Sequence, residues 1–202
     1  MTSKWHEDFF TQQAKKEGYV ARSIYKLQEL DEKFHLFWPQ VSTVLDVWCA
    51  PGSRLQYASW KLKAKNGTWK IIGVDLKKVE IDLPDVVTYL QDATDQEGMQ
   101  RLFDQHQIKQ FDLILSDMAP DTTSNANLDA LKSIDLIERV MRIVDAYLMP
   151  AGQFVFKVFM WPWFDQFVST LKQQRWPAHI RLFKPKSSRK ASKETFIVKR
   201  GC

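Results

Sequence analysis

Four acids stand at the ends of short apolar runs. Asp46 closes V-L-D, Asp75 closes W-K-I-I-G-V-D, Asp92 follows V-V-T-Y-L-Q, and Asp117 follows F-D-L-I-L-S. If these runs are parallel strands, their carboxyl ends face the ligand crevice of an α/β sheet. An acid after the second strand is then placed to grip a ribose hydroxyl pair. Any one of these acids can be read as a turn cap; four along one edge point to a ligand. The turn after Asp46, W-C-A-P-G-S-R-L-Q, holds one glycine, Gly52, and no G-x-G-x-x-G. It offers little for a pyrophosphate, so a cofactor with a ribose and no phosphates fits better, which points to S-adenosylmethionine. A fifth group of interest is Lys157, inside the apolar run Q-F-V-F-K-V-F. A lysine serves as general base near neutral pH only if its pKa falls from ~10.4 towards ~7–8. Burial beside Phe156, Val158 and Phe159 pushes that way, as does a nearby cation. The alternative is a strand-end lysine reaching out to water.

The elements that must position these groups follow from periodicity. Apolar runs at 44–47, 69–75, 86–90, 111–116 and 153–159 read as strands, that at 69–75 as a buried one. Between them, Tyr57–Lys65 reads as a helix stopped at Asn66-Gly67, and Gln96–His106 as a short one. Residues 121–129 are polar and loop-like. Ile134, Ile137, Val140, Met141, Val144 and Leu148 then share one helical face, closed by Pro150 and Gly152. Residues 164–174 are helical, and strands at 178–183 and 195–199 end the chain. The segment 184–194 between them is too short for a crossover helix, so this pair is expected to be antiparallel. Near the start, Ile24, Leu27, Leu30 and Phe34 predict a helix over 21–34, with Arg22 and Lys26 off its apolar stripe. Residues 1–20 read as a polar N-terminal arm. The pattern predicts an α/β, Rossmann-like architecture: a seven-stranded, mostly parallel sheet, a C-terminal antiparallel hairpin and helices on both faces.

With 202 residues and 45% hydrophobic residues, the chain fits one domain spanning 1–202. No run approaches the ~18 apolar residues of a membrane span, and the start lacks the apolar core of a secretory signal. The two cysteines, Cys49 and Cys202, give no disulfide framework, so a reduced, cytoplasmic protein without membrane or metal is expected. The net charge of +5 is modest, but its distribution is not even. Lys184, Lys186, Arg189, Lys190 and Lys193 crowd one segment against the single acid Glu194, and Lys15, Lys16 and Arg22 add to them. Such a loop reads either as a solvated surface or as an RNA-binding element whose affinity falls steeply with salt. The second reading is preferred here because five cations fall within ten residues.

Five segments, in order, resemble one family: G-Y-V-A-R-S-I-Y-K-L (18–27), L-D-V-W-C-A-P-G (45–52), S-D-M-A-P (116–120), F-K-V-F (156–159) and K-P-K-S-S-R-K-A-S-K-E (184–194). They are similar to those of the FtsJ/RrmJ family of ribosomal RNA 2′-O-ribose methyltransferases. The resemblance implies a catalytic set on Lys157, Lys26, Asp117 and Glu194. It implies cofactor contacts from Gly52, Arg54, Asp75, Asp92 and Asp117 to S-adenosylmethionine. It also implies ribosomal RNA as the partner, within the large subunit, with a uridine of the peptidyl-transferase-centre region as substrate. In these roles Lys157 is the base for a ribose 2′-hydroxyl, Asp117 orients it and favours the positive cofactor, and Lys26 and Glu194 position the ribose.

The chain departs from the family pattern at Trp48, where glycine is usual, and at Arg54, where tryptophan is usual. After Lys157 two further glycines are replaced by Trp161 and Trp163. Glycine serves at 48 because backbone and cofactor come close; an indole there either takes the cofactor's space or moves the turn. The added tryptophans supply stacking faces for an unpaired base, fill an apolar gap, or mark a remodelled site. The alternatives to an active ribosomal RNA methyltransferase are an RNA-binding relative that has lost its cofactor, and a methyltransferase acting on transfer or messenger RNA.

Overall fold

The computed structural model describes residues 2–65, 67–118, 126–160, 162, 164–189 and 192–201. Trp161, Trp163, Lys190 and residues 121–125 of the loop expected over 121–129 lie outside the described residues, and 126–129 are helical rather than loop. The seven strands are β1 (Thr43–Val47), β2 (Lys70–Asp75), β3 (Val86–Leu90), β4 (Phe111–Ser116), β5 (Leu148–Phe159), β6 (Ile180–Phe183) and β7 (Glu194–Lys199). They form one sheet in the order β3-β2-β1-β4-β5-β7-β6. The pairs among β1 to β5 are parallel, and β7 runs antiparallel to both β5 and β6. The chain first builds outward from β1 through β2 to β3, then returns to add β4 on the other side of β1. That reversal leaves a crevice outside the carboxyl ends of β1 and β4, where Val47 is level with Ser116.

Alternation along the strands divides the apolar residues between the two faces. Val44, Ile71, Leu113 and Leu115 pack under Leu27, Leu30, Leu55 and Leu62 of α2 (Ile24–Phe34) and α3 (Ser53–Lys63). Leu45, Ile72, Ile114 and Phe154 face Met99 and Phe103 of α4 (Gln96–Gln105) and Val140 and Val144 of α5 (Ala126–Tyr147). Phe103 meets Phe111 and Tyr147 edge-on at centroid distances of 5.0 and 4.7 Å, a geometry that adds ~1 kcal/mol per pair to the burial itself. Among the described residues no helix is long and apolar enough to cross a membrane.

Three expectations need correction. The polar arm over 1–20 is largely a helix, α1 (Thr2–Lys16). It is anchored by Ala14, by Phe10 against Tyr25 at 5.2 Å, and by Glu17 just beyond it, whose carboxylate accepts from the Tyr25 hydroxyl at 3.0 Å. Few apolar residues mark that helix, so its docking is carried by side chains contributed from α2. Leu148, expected on the last turn of a helix, instead opens β5. The pairing of β5 with β4 skips from Leu148 to Gln153, and the irregular stretch between is held by Lys199, whose buried ammonium donates to the Pro150 and Gly152 carbonyls at 2.8 and 2.6 Å. The helix expected over 164–174 is α6 (Phe164–Thr170), followed by a widened turn at Leu171–Arg175.

Candidate active site

The turn between β1 and α3 shapes the crevice. Trp48 stands in the left-handed region at φ 58°, and its N–H and that of Cys49 both donate to the Val74 carbonyl at 2.8 and 3.2 Å. Gly52 precedes α3 at φ 113°, and a Cβ there would lie 2.9 Å from Val79 and 3.0 Å from Ile81. Glycine is needed at 52 for both reasons. The Cys49 thiol is buried, which pushes its pKa up and makes it a poor nucleophile.

A cavity of about 430 Å³ opens beside this turn, walled in part by Trp48, Ala50, Asp75, Asp92, Asp117 and Met118. Its size suits a small-molecule ligand, for which ~300–1,000 Å³ is usual. Trp48 forms a wall of this space and packs its half-buried indole on the core, so the crevice is not plugged. Of the four strand-end acids, Asp75, Asp92 and Asp117 line the cavity. Asp46 does not: it is fully buried beneath it.

Asp75 receives the Ala50 N–H on one oxygen and the Lys77 N–H on the other, both at 2.8 Å. Each oxygen keeps a further lone pair for a hydroxyl. Asp92 closes a local turn by accepting from the Thr94 N–H and hydroxyl at 2.8 Å. Its second oxygen remains for a ligand.

Arg54 and Gly52 are not among the residues lining the cavity. The Arg54 guanidinium is buried under the turn, where Nε and Nη2 bind Asp46 at 3.0 and 2.7 Å, Nη2 also reaches the Trp48 carbonyl at 2.7 Å, and Nη1 meets Asp117 at 3.0 Å. Arg54 and Gly52, both expected among the cofactor contacts, also hold the turn in shape. Burial pushes the Asp46 carboxyl up to about 6, with Arg54 holding it from rising further. Burial also works against the Arg54 charge, but Asp46 and Asp117 outweigh it and keep the guanidinium cationic.

On the other side of Asp117 stands Lys157. Its ammonium is 2.7 Å from one Asp117 oxygen and donates to the Asp117 backbone carbonyl at 2.8 Å. Burial pushes the Asp117 carboxyl up, yet Arg54 above all, then Lys157 and Lys26, outweigh it and hold it below the usual carboxylate range. Lys26 pairs with Glu194 at 2.7 Å. Glu194 arrives here because β7 starts where β5 ends, level with Phe159. All four groups expected in the catalytic set thus meet at one end of the sheet, in two ion pairs.

The basic segment after β6 is fastened to α2. Glu29 accepts the backbone N–H groups of Lys186 and Ser187 at 2.6 and 2.8 Å, and Arg22 donates to the Ser187 carbonyl at 3.1 Å. The segment's own lysine, Lys184, closes it by donating to the Ser192 carbonyl at 2.6 Å. The side chains of Lys184, Lys186, Arg189 and Lys193 are exposed. Helix α2 therefore carries Lys26 and Glu29, and together with Arg22 just before it frames the basic loop. The part played by Glu29, Asp46 and Arg54 was not drawn from the sequence; an acid eight residues before an arginine, across a strand-to-helix turn, was the available signal for the last two.

The sequence profile of the FtsJ-like methyltransferases matches residues 19–202. The chain belongs to the FtsJ-like methyltransferase family. Bacterial members at similar length include the "Ribosomal RNA large subunit methyltransferase E" of Nitratidesulfovibrio vulgaris, 38% identical over 197 residues, covering 96% of this chain and 93% of the relative. The protein of the same description from Desulfatibacillum aliphaticivorans is 40% identical over 192 residues, covering 95% and 88%. Among solved structures, a ribosomal RNA methyltransferase of Plasmodium falciparum superposes with a TM-score of 0.75 at 26% identity, covering 91% of this chain and 98% of that one. A Burkholderia thailandensis N-methyltransferase shares the fold at a TM-score of 0.52 and 14% identity, covering 98% of this chain and 87% of its own. Family membership makes this an S-adenosylmethionine-dependent methyltransferase.

Proposed function

We propose that the chain methylates a ribose 2′-hydroxyl of large-subunit ribosomal RNA, on a uridine, in the cytoplasm and with the large subunit as the natural target. The observation that carries this reading is the convergence of Lys157–Asp117 and Lys26–Glu194 beside an open cavity bearing Asp75 and Asp92. S-adenosylmethionine supplies the electrophilic methyl group when bound. Asp75, with lone pairs left on both oxygens, holds its ribose hydroxyls, and Asp92 flanks the same space. Asp117 places a negative charge where a sulfonium is favoured.

Lys157, as the neutral amine, takes the proton from the acceptor hydroxyl as that oxygen attacks. Asp117 fixes the lysine through its carboxylate and its backbone carbonyl. Lys26 and Glu194 hold the acceptor sugar, the lysine as donor and the carboxylate as acceptor. The exposed cations of the 184–194 segment bind the RNA backbone, in a frame set by Glu29 and Arg22.

Trp48 favours a second reading, an RNA-binding relative without cofactor affinity, because a bulky side chain in the left-handed region borders the cavity. Titration of the purified protein with S-adenosylmethionine separates the two. Saturable binding is expected; no detectable binding at millimolar cofactor would reject the enzyme, and recovery of binding in Trp48→Gly would assign the loss to the indole.

Replacing Lys184, Lys186, Arg189 and Lys190 together by alanine tests the RNA side. The slope of log affinity against log salt is expected to flatten by about one unit for each phosphate that is no longer neutralised. Anisotropy titrations with a ribosomal RNA fragment over a range of salt read this directly. An unchanged slope would remove the segment from the interface.

A further inference from the structure

We propose that Arg54 is a positioning residue for the base: by sharing the Asp117 carboxylate with Lys157, it sets how tightly that lysine holds its proton. The inference rests on the proposed role of Lys157. Asp117 has two oxygens and two cationic partners, Lys157 at 2.7 Å on one and Arg54 at 3.0 Å on the other. An unshared carboxylate at that distance from an ammonium stabilises its charged form and makes it a poorer base. The guanidinium weakens this hold without being able to give up a proton itself. It is itself divided, since Nε and Nη2 are committed to Asp46. The chain Asp46–Arg54–Asp117–Lys157 is therefore a graded series of charges reaching from under the turn to the reacting hydroxyl.

The charged groups around Asp117 come from every element packed against it: Arg54 from α3, Lys157 from β5, Lys26 from α2 with Glu194 on β7, Asp46 from β1 and Asp75 from β2. Asp92, Lys77, Asp135 and Arg139 also line the cavity and are unchanged in the variants below. Two substitutions move the series in opposite directions. Arg54→Met leaves Asp117 wholly to Lys157. Asp46→Asn keeps an acceptor for the guanidinium but removes the competing charge, so Arg54 bears more strongly on Asp117.

The test is the pH profile of methyl transfer at saturating cofactor and RNA. In Arg54→Met the acidic limb is expected to move up by about one pH unit, a tenfold loss of rate at a fixed pH on that limb. Arg54→Lys should restore most of it, and Asp46→Asn should move the limb down. A limb that stays in place in Arg54→Met while the rate falls equally at every pH, or while only the cofactor KM rises, overturns the proposal. If Arg54→Met does not fold, as judged by its circular dichroism melt, Asp46→Asn decides alone: a downward shift supports it and an unmoved or upward limb overturns it. Failure of the base assignment itself looks different, because Lys157→Ala would then retain turnover whatever Arg54 does.

Discussion

Lys157→Ala is expected to lower the methyl-transfer rate by about 10²–10⁴-fold, the usual contribution of a positioned general base, with cofactor and RNA dissociation constants nearly unchanged. The reason is geometric. Lys157 sits on β5, one position from the antiparallel partner of Thr195 and two from that of Glu194, and its ammonium is held by Asp117 through both side chain and backbone. It lies beside the cavity but does not form its wall, so its removal leaves the cofactor's contacts in place. Asp117 keeps Arg54 as a partner in the variant, so no buried carboxylate is stranded and the fold should survive. Lys157→Arg separates proton transfer from charge. A guanidinium keeps the positive charge but gives up no proton near neutral pH, so it should be as inactive as alanine if the lysine is a base. Single-turnover rates with preformed complexes measure this; substantial activity in Lys157→Arg would make the residue an electrostatic clamp instead.

How much of this was legible in the sequence depends on how far each feature's cause lies along the chain. The strands at 86–90 and 111–116 fall where their β-branched and apolar runs placed them; the second is buried on both faces, whereas the first is a half-exposed edge strand that keeps only its β-branched pattern as a signal. The antiparallel end of the sheet followed from a segment too short for a crossover. The two lysine–carboxylate pairs were named only through the family resemblance; nothing in local pattern links residue 26 to residue 194. Leu148 was misplaced because its side chain satisfies a helical stripe as well as a strand, and the choice was made by Lys199, far away, holding the Pro150 and Gly152 carbonyls. The buried partners of Arg54 were hidden for a related reason. An arginine in the first turn of a helix beside a cofactor crevice reads as a ligand contact, and only the depth of Asp46 beneath the turn shows why it points down.

That depth leads to the second large effect. The folded-state pKa of Asp46, about 6, lies above its ordinary value near 3.8. The folded protein thus binds a proton at Asp46 that the unfolded chain does not, between about pH 4 and pH 6. Stability from this one group therefore falls as pH rises through that window and is flat above it. Two pK units correspond to about 3 kcal/mol. Asp117 works in the opposite sense: held below its ordinary value, it adds stability that is present above pH 4 and is lost as pH falls below it. The two separate by mutation. Asp46→Asn resembles the protonated acid, so the stability of wild type relative to this variant should decline by up to ~3 kcal/mol between pH 4 and pH 6.5. Urea melts at pH 4.5, 5.5 and 6.5 resolve a change of that size. Asp46→Ala is the harsher change. It removes the acceptors of Arg54 Nε and Nη2 and leaves part of a buried guanidinium unpaired, at a cost of about 3–5 kcal/mol. Should wild type instead gain on Asp46→Asn as pH rises from 4.5 to 6.5, the attraction of Arg54 exceeds the penalty of burial, and Asp46 is a net stabilising anion under the turn.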